Sequence, residues 1–64
     1  MKNEVEKLRE EKGTTKVALG KALGVSRQTI HAIETGKYDP SLKLAFKIAK
    51  YFDKSIEEIF EYKE

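Results

Sequence analysis

Leu19-Gly20-Lys21-Ala22-Leu23-Gly24-Val25-Ser26-Arg27-Gln28-Thr29-Ile30-His31-Ala32-Ile33-Glu34 reads as two short helices joined by a glycine turn, with one polar face left over. Leu19 and Leu23 before the turn, and Ile30 and Ile33 after it, are spaced to bury one side of each helix. Gly24 takes a positive φ without penalty and ends the first helix, so Val25 can point inward while Ser26 caps the next. A turn this short forces a steep crossing. Arg27, Gln28, His31 and Ala32 are left facing away from the core. Gly20 weakens the middle of its helix by up to about 1 kcal/mol relative to alanine, which predicts the close approach of another helix at that point.

The flanking sequence supplies three more helices. Residues 3-12 lack proline and glycine and set Val5, Leu8 and Lys12 on one face, with Gly13 as the stop. Thr15 is a good N-cap for the helix Lys16 to Leu23, whose inner face is read as Ala18, Leu19, Ala22 and Leu23. The next helix runs from Arg27 to Glu34, and Thr35-Gly36 ends it. Pro40 disfavours helix at Asp39, and Ser41 then caps a helix striped by Leu44, Ala45, Ile48, Ala49 and Phe52, with Lys43, Lys47 and Lys50 on its wet side. Ser55 and Glu58 form a capping box opening a short fifth helix with Ile56, Ile59 and Phe60. The tail, Glu61 to Glu64, either frays or pairs with Met1-Lys2-Asn3. The expected fold is all-α: a compact five-helix domain spanning 1-64, with helices 2 and 3 at its centre.

Composition narrows the function. Sixty-four residues lie near the lower limit at which a chain without disulfide or metal folds alone, so oligomerisation would help. With no cysteine there is no disulfide, thiolate zinc site or thiol nucleophile. His31 is the only histidine and has no acid-nucleophile set beside it, so neither a metal site nor catalysis is expected. No apolar run approaches a membrane span or a signal peptide, and a cytoplasmic protein is expected. Net charge is +2 overall but unevenly placed. Residues 12-52 hold eight basic against two acidic side chains, net +6, whereas residues 1-11 are net -1 and residues 53-64 net -3. Positive charge therefore surrounds the two central helices.

A helix, a short turn containing glycine and a second helix with a polar outer face is the helix-turn-helix arrangement, whose second helix enters the DNA major groove. Arginine pairs bidentately with guanine and glutamine with adenine, so Arg27 and Gln28, beside Ser26, suit base edges. Lys16 and the free N–H groups after Thr15 suit a phosphate, as do Thr35, Lys37 and Tyr38 just beyond the second helix.

The chain resembles the phage repressor and Cro group of helix-turn-helix proteins, also called the XRE group. Matching residues are Leu8 to Gly13, Leu19, Leu23 to Ile30, Ile33-Glu34, Gly36 to Tyr38, Pro40 to Leu42, Leu44-Ala45, Lys47 to Ala49 and Ile56 to Phe60. It is especially similar to the small single-domain repressors of that group. The resemblance implies base contacts from Arg27, Gln28, His31 and Ala32, phosphate contacts from Lys16, Thr35 and Lys37, and a buried ion pair between Arg9 and Glu34. His31 is left open between a base contact, a phosphate contact and a solvated side chain. The chain departs from the group at Lys16, usually glutamine, at Gly20, usually alanine, and at Thr14, usually leucine. Tyr51, Ile56, Ile59, Phe60 and Tyr62 offer more apolar surface than a short helix buries alone, and are assigned partly to the core and partly to a two-fold contact. The expected function is a homodimeric repressor of transcription bound to double-stranded DNA, without cofactor. An antitoxin-type module that binds a partner toxin is the alternative.

Overall fold

The computed structural model describes residues 1–62, so Lys63 and Glu64, the end of the tail expected to fray or pair, lie outside the described residues. Five helices follow in order: α1 (Val5–Lys12), α2 (Lys16–Leu23), α3 (Arg27–Glu34), α4 (Leu42–Phe52) and α5 (Ile56–Ile59). Each boundary has a local cause. Thr15, Ser26, Ser41 and Ser55 hold extended backbone before their helices, and each side-chain oxygen accepts an N–H three residues on. Gly13 and Gly24 close α1 and α2 in the left-handed region at φ 73 and 77. Asp53 closes α4 the same way at φ 54, a conformation that aspartate tolerates better than most residues.

The core gathers Val5 of α1, Leu19 and Leu23 of α2, Ile30 and Ile33 of α3, Leu44, Ala45, Ile48 and Ala49 of α4, and Ile59 with Phe60 at the C-terminal end. Leu8, Val25, Tyr51, Phe52 and Ile56 pack against it partly buried. Two readings of α2 need correction. Ala18 and Ala22 are exposed, and the inward stripe is Leu19, Gly20 and Leu23. Gly20 does meet a close neighbour, but the neighbour is the turn rather than another helix: a Cβ there would lie 2.6 Å from the Val25 carbonyl oxygen. That carbonyl belongs to the backbone, so an alanine would have to push the turn aside.

The chain ends meet through backbone pairing shorter than a strand. Asn3 and Phe60 form an isolated antiparallel bridge, with Glu4 N–H donating to Ile59 O at 2.8 Å and Glu61 N–H to Lys2 O at 2.9 Å. Asn3 is therefore not the first residue of α1. Its Oδ1 accepts the Val5 N–H, and its Nδ2 donates to the Ile33 carbonyl at 2.8 Å, tying the start of α1 to the end of α3. The bridge gives α5, only four residues long, support that it could not find in its own hydrogen bonds.

A second tie between α1 and α3 is ionic. Arg9 Nε donates to Glu34 Oε2 at 2.7 Å and Nη2 to Oε1 at 3.4 Å, while Nη1 donates to the Thr14 carbonyl at 3.0 Å. The Glu34 side chain is 2% exposed. The hydrogen bond that Arg9 donates to Glu34 raises the Arg9 pKa further above its ordinary value, against the opposing effect of burial.

Removing one partner of such a pair strands the other charge in the interior, so Glu34→Ala should cost about 3 kcal/mol or more in chemical denaturation; a loss below about 1 kcal/mol would assign the pair no structural weight. At α5, hydrogen bonds from the Ser55 backbone and hydroxyl hold the Glu58 carboxyl below the usual glutamate range. A depressed pKa means that its contribution is present above the ordinary glutamate value and is lost as pH falls through the folded value. Glu58→Gln should therefore shrink the difference between urea midpoints at about pH 6 and about pH 3, and an unchanged difference would count against this linkage.

Candidate nucleic-acid interface

Helix α3 follows from its caps and its apolar pair. Ser26 starts it, Thr35 closes it, and Ile30 and Ile33 are buried on one side. At roughly 100° per residue, Arg27, Gln28, His31 and Ala32 occupy the opposite arc. Arg27, Gln28 and His31 are exposed, and Ala32 is half-buried beside them. The helix thus presents two bidentate-capable side chains at its N-terminal end and an imidazole one turn later.

Ser26 and Thr35 flank this surface and are already engaged. Ser26 Oγ accepts the Thr29 N–H and shares a 3.1 Å hydrogen bond with Thr29 Oγ1. The Thr35 hydroxyl donates to the carbonyls of His31 and Ala32 at 3.0 and 3.2 Å, so its hydrogen points back along the helix rather than outward. Lys37 and Tyr38 follow, exposed, their N–H groups donating to the Ala32 carbonyl. At the start of α2, Thr15 is exposed and caps the helix through Ala18 N–H. Lys16 is half-buried, with its Nζ 4.0 Å from Glu34 Oε1, so the lysine that departs from the family pattern leans toward the Arg9–Glu34 pair.

The electrostatics favour an anion. The first turns of α2, α3 and α4 carry no acid, whereas α1 has Glu6 and α5 has Glu57 and Glu58 there. Three helix N-termini thus keep their positive dipole ends uncompensated. The two acids of the basic segment are both occupied: Glu34 by Arg9, and Asp39 by the Met1 amine at 3.0 Å.

Two basic residues of the wet side of α4 also border this surface. Lys43 and Lys47 line a cleft with Tyr38, Thr29 and the α2–α3 turn, placing them beside α3. Their i, i+4 spacing on α4, immediately after the loop that leaves α3, was the available signal.

The residues expected at a two-fold contact divide differently. Ile59 and Phe60 are spent on the protomer's own core, since the capping box and the terminal bridge turn both inward. Tyr51 is half-buried, its ring edge-on to Phe52 at 5.0 Å and covered by Lys12 Nζ at 4.9 Å. Ile56 is partly buried, and only Tyr62 is fully available, at 76% exposure.

Among the described residues no group of His, Cys, Asp or Glu could hold a metal ion, and no helix is long and apolar enough to cross a membrane. A helix-turn-helix family model matches residues 5–59, from the start of α1 to the end of α5. The chain is 61% identical over 64 residues to an uncharacterized HTH-type transcriptional regulator of Methanocaldococcus jannaschii, covering 100% of this chain and 97% of that protein. A regulator of the same description from Bacillus subtilis is 50% identical over 60 residues, covering 94% and 91%. One from Archaeoglobus fulgidus is 45% identical over 64 residues, covering 100% and 90%. The exposed face of α3, the uncompensated helix N-termini and these relatives lead to one conclusion: the chain belongs to the XRE-type helix-turn-helix family of DNA-binding transcriptional regulators.

Proposed function

We propose that the protein is a homodimeric repressor of transcription that lays α3 in the major groove of a near-palindromic operator in the cytoplasm, the whole chain serving as one DNA-binding domain. The observation that carries this reading is the division of α3. Its apolar pair and its only acid are buried, while Arg27, Gln28 and His31 stand exposed on one arc. Repression would be steric, two protomers occupying half-sites about one helical turn, roughly 34 Å, apart.

Arg27 and Gln28 read base edges, with His31 and Ala32 one turn along and Ser26 at the entry. Lys37 and Tyr38 hold the phosphate backbone beyond α3, and Lys43 and Lys47 join them across the cleft they share with Tyr38. Thr15 and Lys16 hold phosphate at the start of α2, where the free N–H groups add to the lysine charge. Thr35 contributes least among these, because its hydroxyl hydrogen is committed to the helix. Lys16 has a second task, lying against Glu34, so its contact with phosphate competes with an internal one.

Selection from random double-stranded DNA, followed by gel shift, tests the reading directly, because it returns both affinity and half-site spacing; absence of any enriched site would overturn it. Gln28→Ala should cost about 1–3 kcal/mol at one base pair and relax preference there, and an unchanged preference across a site library would remove Gln28 from the base contacts. Lys16→Ala should weaken binding to all sequences and lower the salt slope by about one unit. An unchanged slope, with stability reduced, would leave Lys16 only its internal role beside Glu34.

A further inference from the structure

Two large apolar side chains outside the core share one side of α4. Leu42 is 72% exposed and Phe46 is 55% exposed, one turn apart on a stripe that continues to Ala49 at the edge of the core. The core takes Leu44, Ala45, Ile48 and Ala49 from this helix, with Tyr51 and Phe52 packed against it, and leaves Leu42 and Phe46 outside. Phe46 also walls a groove between α4 and α5, with Ala49, Lys50, Asp53, Ile56 and Glu57 along it.

We propose, building on the homodimer reading above, that a second copy of this chain covers this stripe and groove, with Phe46 near the two-fold axis. Three observations favour a second copy. A two-fold contact sets a patch against itself, so it must be self-complementary. The groove carries both signs of charge, Lys50 and Lys54 against Asp53 and Glu57, and among the described residues none of these four makes an ion pair, so each can meet an opposite charge across the axis. The same acids make the patch unsuitable for a phosphate backbone.

Placement is the second argument. Leu42 and Phe46 lie about 100° around α4 from Lys43 and Lys47, which line the cleft beside α3. A partner seated on the first pair therefore leaves the basic cleft and α3 uncovered. Area is the third. An ordinary interface buries about 800 Å² per partner. Centred on Phe46, it would take nearly a fifth of the 4497 Å² surface of this small protomer, a substantial addition to a core that is near the minimum size.

The test is sedimentation of the full chain at tens of micromolar without DNA. Wild type should run as a dimer. Phe46→Glu and, independently, Leu42→Lys should each raise the dimer dissociation constant by at least about 30-fold, as expected of a central contact residue. Both side chains are exposed, so helix content by circular dichroism should stay unchanged. A monomeric wild type, or a dimer insensitive to both α4 variants, would overturn the proposal. Because no DNA is present, that failure is distinct from a failure of base reading, which would appear as an intact dimer without an enriched site.

Discussion

The Arg9–Glu34 pair is the constraint on which the position of α3 rests. Two charges taken out of water recover little net stability from each other, so the pair is better understood as a geometric device. Arg9 is one turn from the end of α1 and Glu34 is the last residue of α3. Their 2.7 Å contact and the Asn3 bond to the Ile33 carbonyl fix the C-terminal end of α3, while the Arg9 bond to the Thr14 carbonyl holds the guanidinium in place. The opposite end is fixed by the turn, where the Val25 carbonyl lies so close to Gly20 that no side chain fits between. A helix held at both ends presents its outer arc as a fixed surface.

The pair also shapes the field around that arc. Glu34 lies about 20° around α3 from Arg27, so an exposed carboxylate there would put negative charge on the arc that carries Arg27. Burying it against Arg9 removes the repulsion and leaves the neighbouring Lys16 charge partly engaged. Asp39, the other acid of the central segment, is likewise paired. With both acids paired by cations from outside residues 12-52, the basic side chains of that segment dominate what an approaching polyanion meets, while Glu6 of α1 and Glu57 and Glu58 of α5 lie at first turns where they stabilise those helices.

Much of this was legible because the sequence states its boundaries chemically. Thr15, Ser26, Ser41 and Ser55 each cap as their residue types require, and Gly13 and Gly24 sit where a left-handed residue is needed. The exposed arc of α3 was legible for the same reason: the Ile30 and Ile33 spacing leaves only one side free. The inner face of α2 was misread because alanine carries almost no directional information, and Ala18 and Ala22 fit either side of the helix equally well. The task of Asn3 is set by a carbonyl 30 residues away, and no local pattern encodes that contact. Ile59 and Phe60 were placed partly outside because the bridge that turns them inward depends on where the first three residues lie.

Helix α4 shows why a 3.6-residue stripe under-describes a helix in so small a protein. Its circumference divides into three arcs: Leu44, Ala45, Ile48 and Ala49 toward the core, Lys43 and Lys47 toward the cleft beside α3, and Leu42 and Phe46 toward a groove with α5. Periodicity detects the first arc and labels the remainder as wet. Yet with so little interior, the large apolar side chains left exposed on α4 contribute to stability only when something covers them. Since α4 touches both the groove and the cleft beside α3, a partner that fills the first also sets the separation between the two copies of the second. Dimer geometry and half-site spacing would then be two consequences of one helix orientation.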